Sequence, residues 1–472
     1  MEQAVTEAIA SAQSRVDVAV QALRLPRVTR ALIERHQAGV QVRVIVDDTY
    51  SRAWSSLTAS ETAQLDERSR ERYQRGRAFI DRDGNGRLSS AEVASRDAIA
   101  MLHQAGVPIL DDTADGSAGS GLMHHKFAVI DGETTLVTSA NLTLSGVHGD
   151  WDAPQTRGNA NHLLAIQSPA LAARFEREFE LMWGDGPGGQ PDSQFGLQKP
   201  ARSPATVEVG EARVSVRFSP TSPSDPWANS SNGFIRRWLA AATHSADLAL
   251  FVFSAQRLAN TLAERHQQGV RVRALIDRGF AFRPYSEGLD MLGVALATDC
   301  SYEASNRPWS DPIETVGVPR LPAGDKLHHK FATLDGRTVL TGSHNWSAAA
   351  NASNDETVIA IESPTVTAHF QRAFERLWSQ AALGVPARVG DRIQAQRQRW
   401  DRLETPASPA ASGAPVNLNA PPQPSWPRYP ASARCWPSRS SPPAKSVPST
   451  RWPIWSGSQG SARQRPASWR GR

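Results

Sequence analysis

Lysine is nearly missing from this chain. It supplies 5 of 472 residues against 47 Arg, so each Lys marks a place where a compact ammonium was kept in a background of wide guanidinium forks. Cysteine is scarcer still. Cys300 and Cys435 can form one pair at most, which excludes a disulfide framework and leaves the compartment open. No run of 18 apolar residues exists, so no stretch reads as a membrane-spanning helix. No signal peptide is visible, because Met1 leads straight into the helical pattern EQAVTEAIASAQS. Acidic residues are absent from 421–472, which holds nine of the 52 Lys and Arg. Residues 1–420 therefore carry 43 basic against 47 acidic side chains, and the overall charge of +5 describes the tail. That balance gives no argument that the body of the chain binds nucleic acid.

What is present is a repeat. ERHQAGVQVRVIVD (34–47) returns as ERHQQGVRVRALID (264–277), LMHHKFAVIDG (122–132) as KLHHKFATLDG (326–336), and SPALAARFEREFELMW (168–183) as SPTVTAHFQRAFERLW (363–378). Three blocks in one order predict two copies of one α/β unit. Each copy reads as a helix (2–14; 234–245), an apolar strand, a helix closed by Gly39 or Gly269, and a second strand. The histidine strand and a closing helix follow. Phe175, Phe179 and Trp183, like Phe370, Phe374 and Trp378, share one helical face and are expected in the core. The second copy opens with an extra strand, VSVRFSP (214–220). The first has no counterpart, which suggests a leading strand lost through a misplaced start, together with any signal peptide. The expected organisation is a first unit over 1–183 with an insertion at 51–98, a linker over 184–212 and a second unit over 213–382. A helical extension (383–403) and a disordered tail (404–472) complete it.

Two of the five lysines stand two residues after a histidine at equivalent points of the repeat. Side chains alternate along a strand, so His124 and Lys126 face one way and His125 the other. The pattern His-x-Lys-x4-Asp followed by Ser-x-Asn gives His124, Lys126, Asp131, Ser139 and Asn141. Its second copy gives His328, Lys330, Asp335, Ser343 and Asn345. Over roughly residues 1–382 the chain resembles the phospholipase D superfamily. One departure is Gly342 where the first copy has Thr138, and it is not expected to abolish activity.

The resemblance implies two tandem phospholipase D-like α/β units about a pseudo-twofold, with one site at their interface. Lys126 and Lys330, with Asn141, Asn345, Ser139 and Ser343, would hold the phosphate and take up transition-state charge, with no cofactor needed for catalysis. One histidine would attack phosphorus while the other protonates the leaving oxygen and later activates water. Asp131 and Asp335 are counted with the catalytic set in a supporting role, holding backbone near the site. Aligning QSP (167–169) with ESP (362–364) sets Glu356 opposite Asn161. If pairing crosses between units, Glu356 orients His124 as nucleophile and Asn161 faces His328 as proton donor.

The expected activity is hydrolysis of a phospholipid phosphodiester, through a phosphohistidine, to phosphatidic acid and free head group. Peripheral membrane contact and a monomer, since both half-sites lie in one chain, are expected with it. A DNA or RNA endonuclease is the alternative, and an inactive binding or scaffold protein a third, although neither His-Lys pair is broken.

The first unit carries 43 extra residues between its matched blocks, and the second a 17-residue excess at 299–325, expected to shape access to the site. Within the first insertion, DRDGNGRLSSAE (81–92) fits a calcium-binding EF-hand loop. Asp81, Asp83, Asn85, Arg87 (by its carbonyl), Ser89 and Glu92 stand at ligand positions, and Gly86 at the turn. Helices are expected over 61–79, with TASE as a capping box, and 90–104. The alternative is a polar loop without metal.

The tail holds five of the chain's 14 Trp, unusual for a disordered segment. In another reading frame with GC-rich codons, RYPASA (428–433) becomes LPGIG and SGSQGSA (456–462) becomes VPGIG. These resemble tandem helix-hairpin-helix motifs, which bind DNA phosphates through backbone amides. A frameshift near Ala420 or a natural basic tail both remain open. As written the tail is not expected to fold.

Overall fold

The computed structural model describes residues 1–116, 121–298 and 301–399. Cys300, Cys435 and the expected disordered tail or helix-hairpin-helix module lie outside them.

The repeated blocks become two sheets. The first contains β1 (Arg15–Val20), β2 (Gln41–Val46), β3 (Ile109–Asp111), β4 (Lys126–Ile130), β5 (Thr134–Thr138) and β6 (Leu163–Gln167), in the order β3-β2-β1-β4-β5-β6. The second contains β7 (Ala205–Val209), β8 (Ala212–Ser219), β9 (Ser245–Leu250), β10 (Arg271–Ile276), β11 (Val316–Val318), β12 (Lys330–Leu334), β13 (Thr338–Gly342), β14 (Glu356–Glu362) and β15 (Ala382–Leu383). Its order is β15-β11-β10-β9-β12-β13-β14-β8-β7. In each, a parallel wing (β1, β2, β3; β9, β10, β11) meets an antiparallel wing led by the histidine strand. Apolar runs such as VRVIVD and VRALID fill the parallel wings, as strands covered on both faces require. Gly39 (φ 89°) and Gly269 (φ 86°) close the preceding helices in the left-handed region.

Each sheet packs helices on its outer face, giving one core per half. A third core is shared. The closing helices Pro169–Trp183 and Pro364–Trp378 bring Phe175, Phe179, Phe370 and Phe374 between the two sheets, where Phe127, Phe331 and Ile359 also sit. The closing helix is also fixed by a duplicated charged anchor. Arg43 spans Asp17 and Glu180 over the Phe179 ring, and Arg273 spans Asp247 and Glu375 over Phe374.

The halves differ at one sheet edge. The extra strand, β8, covers β14 along seven residue pairs. Its equivalent, β6, has no strand on its outer side among the described residues, and its side chains are half-exposed.

Two expectations need correction. The 184–212 segment is more than a linker: Phe195 and Lys199 are buried, and β7 pairs with β8. The insertion helices are shorter than the pattern predicts. Breaks at Leu65–Asp66 and Asp97 divide them into Ala59–Gln64, Glu67–Ile80, Ser90–Arg96 and Ala98–Gln104. At both breaks an Asp side chain takes backbone N–H groups in place of continued helix, Asp66 from Ser69 and Asp97 from Ser55. The Thr58–Glu61 capping box forms as expected.

Candidate active site

The two histidines enter the site on crossed backbone pairs. Met123 bridges Asp355 and Leu327 bridges Ala160, each in parallel sense. His124 N–H donates to Asp355 O and His328 N–H to Ala160 O, both at 3.0 Å. Each half therefore holds the histidine of the other. Buried Asp47 and Asp277, at the ends of β2 and β10, accept the N–H of Met123 (3.0 Å) and Leu327 (2.9 Å) and fix both approaches. Sequence reasoning left these two unassigned, although they end the matched blocks VRVIVD and VRALID.

The side chains cross in the same way. His124 Nδ1 donates to Glu356 Oε2 at 2.7 Å, and Ser343 Oγ donates to the same oxygen at 2.7 Å. His328 Nδ1 donates to Asn161 Oδ1 at 3.0 Å, which also accepts from Ser139 Oγ at 2.8 Å. Asn161 Nδ2 donates to Gly146 O, which fixes its amide orientation. Both imidazoles thus keep Nε2 free. Each Ser locks its partner's acceptor and also accepts a backbone N–H, Ser343 from Thr357 and Ser139 from His162.

Lys126 Nζ and Lys330 Nζ donate to the carbonyls of His124 (2.7 Å) and His328 (2.8 Å). Burial pushes Lys126 down to about 7 against the pull of Glu356 and Asp47. Burial and Lys126 push Lys330 well below the ordinary lysine range. Burial, then the two ammonium groups, also hold His124 and His328 well below the usual histidine range. An anion entering this site offsets two confined positive charges and raises all four groups. Asn141 and Asn345 have buried Oδ1 atoms without a partner, so either amide can turn its NH2 to an anion without breaking a bond from that oxygen. Gly342 has φ 134°, and a Cβ there would meet Thr357 O at 2.2 Å. Glycine is thus required where the first half has Thr138.

Asp131 and Asp335 lie elsewhere. Each follows its histidine strand at φ 52°, five residues beyond the lysine and so about 16 Å along the strand. Asp131 accepts the N–H groups of Gln13, Ser14 and Arg15, and Asp335 those of Thr243, His244 and Ser245. Burial alone would raise Asp131, but these donors hold it at about 2. The pair stitches the turns before β1 and β9 and does not reach the phosphate site.

A second polar cluster backs the first. His125 faces away from His124, as alternation predicts, and its Nδ1 bonds Thr357 Oγ1 at 2.8 Å. Behind it Lys199 Nζ joins Glu178 (2.5 Å) and Asp355 (2.6 Å), and Arg202 joins Glu178 (2.9 Å). Burial alone would raise Glu178, but Lys199 and Arg202 hold it well below the carboxylate range. His125, Glu178 and Asp355 have oxygen and nitrogen atoms close enough for a metal, but the Lys199 ammonium already bridges the two carboxylates. The cluster fixes Asp355, and so the neighbouring Glu356.

In the insertion, carboxylate oxygens of Asp81, Asp83 and Glu92 come within 4.8 Å of one another. Asp81 accepts the N–H of Asn85 and Gly86, and Gly86 turns at φ 79°. Asn85 Oδ1 accepts the Arg87 N–H, and Glu92 accepts the N–H of Arg82 and Ser89. Donors from Ser89, then Arg82, lower Glu92 to about 2, so it is ionised at neutral pH. The donor set is all oxygen and suits a hard cation.

The family model described as "Cardiolipin synthase, PLD-like domain" matches residues 5–183 and 235–378. Mitochondrial cardiolipin hydrolase of Mus musculus is 31% identical over 184 residues, 38% of this chain and 73% of that protein. The Homo sapiens protein of that name is 33% identical over 157 residues, 33% of this chain and 54% of that protein. Among solved structures, phosphatidylserine synthase of Haemophilus influenzae is 13% identical, with a TM-score of 0.47 over 84% of this chain and 92% of that one. With both halves matched by the family model, the chain belongs to the phospholipase D superfamily and is a phosphodiesterase of that type.

Proposed function

We propose that the chain hydrolyses a phospholipid phosphodiester in two steps, with cardiolipin the leading substrate because the relatives are named for it. The observation that carries the mechanism is the crossed, unequal pairing of the histidines, Glu356 on His124 and Asn161 on His328. A carboxylate behind Nδ1 makes His124 Nε2 the stronger nucleophile. His124 Nε2 forms a bond to phosphorus as the ester P–O bond breaks, and His328 gives its Nε2 proton to the leaving oxygen. Neutral His328 then takes a proton from water, whose oxygen displaces His124 and releases phosphatidic acid. Lys126, Lys330, Asn141 and Asn345 hold the non-bridging oxygens throughout.

One chain supplies both histidines, so a monomer is sufficient for this chemistry. Among the described residues no helix is long and apolar enough to cross a membrane, and contact with lipid is peripheral on this reading. The test is release of product from cardiolipin or phosphatidylcholine against nicking of plasmid DNA, each with His124→Ala and with EDTA. Lipid turnover lost in His124→Ala and retained in EDTA is expected. Plasmid nicking without lipid turnover would replace the lipid reading with the nuclease one.

The insertion loop is assigned to calcium as a structural staple, with Asp81, Asp83, Asn85, Ser89, Glu92 and the Arg87 carbonyl as ligands. Calcium should raise the Tm of the protein and not that of Glu92→Gln. An equal rise in both removes the site.

A further inference from the structure

The residues that flank the two histidine approaches differ in charge. Beside His124, Asp47, Asp48 and Asp112 bring their oxygens within 4.8 Å of one another. Beside His328 the equivalent of Asp48 is Arg278, and the equivalent of Leu122 is Lys326. There a cavity of about 1150 Å³ is lined in part by Asp325 and by Lys326, two residues before His328. It is lined by Arg278, Arg283, Arg320, Lys326, Arg388 and Arg392. All six are exposed, and none forms an ion pair among the described residues. The two carboxylates in the lining are already engaged. Asp277 accepts the N–H of Gly279 and Leu327, and Asp325 those of Arg157 and Gly158.

The cavity is built from parts that the first half lacks. Arg320 comes from the long 299–325 segment. Arg388 and Arg392 come one turn apart on the helix Ala387–Arg399. That helix is docked through Val389 and Ile393 on Leu289 and Leu296, and Gln396 exchanges two hydrogen bonds with the backbone of Ala297. The backbone that carries Arg388 and Arg392 is therefore fixed beside the cavity. In the chain Tyr285 follows the lining residue Pro284, and Leu383 and Val385 follow Ala382; the three are among the six large apolar side chains exposed among the described residues. Clustered cations with exposed apolar side chains on neighbouring residues suit contact with an anionic lipid.

We propose that this cavity binds a second phosphate of the substrate, carried on the leaving alcohol, so that the preferred substrate is a phospholipid with two phosphodiesters. The proposal rests on the lipid reading above and deepens it. His328 protonates the leaving oxygen, and the cations lie on the His328 side. The phosphate held there departs with the alcohol, while the phosphatidyl group stays on His124. Guanidinium groups bind phosphate oxygens through paired N–H donors.

The experiment compares cardiolipin with phosphatidylglycerol, which has one phosphate, in the same detergent micelles. Wild-type protein should prefer cardiolipin at least tenfold in kcat/KM. The variant Arg320→Gln/Arg388→Gln/Arg392→Gln should lose that preference through KM, with kcat on cardiolipin kept within about twofold. Arg278→Gln/Arg283→Gln, which lie outside that helix, should shift the ratio in the same direction, which separates charge from helix docking. Equal wild-type turnover of the two lipids, or an unchanged ratio in both variants, overturns the proposal and leaves the lipid reading standing. Failure of the wild type on every phospholipid removes both. Variants that lose affinity for single-stranded oligonucleotide but keep the lipid ratio assign the cavity to nucleic acid and overturn the proposal.

Discussion

The two halves hold their histidines by the same backbone device and with the same serine behind the acceptor, yet one acceptor is a carboxylate and the other an amide. Duplication explains the shared parts. On the mechanism proposed above, the difference, Glu356 against Asn161, lets two equivalent imidazoles take unequal parts in one reaction. On that mechanism a charge on one side suffices, because both rings are shielded from solvent beside Lys126 and Lys330. There a single buried carboxylate has a large effect on basicity.

The most severe way to break the comparison is to remove each histidine in turn and change the leaving group. Both His124→Ala and His328→Ala should lose about 10⁴-fold in kcat on a natural ester. On a p-nitrophenyl phosphodiester, whose leaving group needs no proton, His328→Ala should recover about 10²-fold in a stopped-flow burst and His124→Ala should not. The reverse pattern would exchange the two roles.

Next in size is the buried cluster, which exists on one side only. Glu178 has Ala373 as its counterpart in the second half. Lys199→Met leaves Glu178 and Asp355 facing each other with one cation fewer, and should destabilise the protein by about 3–5 kcal/mol in urea unfolding. A change under 1 kcal/mol would show that Arg202 and His125 suffice.

Smaller effects should follow from the acceptors themselves. Glu356→Gln is expected to lower kcat about 10- to 100-fold, and Asn161→Ala less than tenfold. Equal losses would mean that the carboxylate only positions its ring.

The mildest effect is a displaced pH profile. Lys126 is protonated below about 7 and neutral above it, and only the ammonium holds phosphate. In wild-type protein kcat/KM should therefore fall as pH rises through about 7. Glu356 raises the Lys126 pKa, so Glu356→Gln should move that descending limb to lower pH. A limb that stays in place would separate Lys126 from Glu356.

Much of the site was legible because it is written twice. His124, Lys126 and their copies announce themselves against a background of arginine, and one alignment of QSP with ESP brought Glu356 and Asn161 opposite each other. Asp131 holds backbone as expected, but away from the site, because the motif unites residues that a straight strand then carries apart. Lys199 was hidden because its partners lie 21 and 156 positions away, although Glu178 on an aromatic helix face was a visible anomaly. The six cations of the cavity are scattered from 278 to 392, and only the docking of the Ala387–Arg399 helix collects them. The second-half extra strand was readable from VSVRFSP, whereas pairing of 205–209 with it was not, since the alternating run ATVEV is only five residues long and none of it is fully buried.

The crossing of the halves also has a consequence during synthesis. Glu356 lies 232 residues after the histidine that it orients, and Asn161 must wait for a histidine that lies 167 residues later. A ribosome that has completed only the first half exposes His124 and Lys126 without the carboxylate that orients the ring. The crossed site is therefore incomplete until β14 is made and docked.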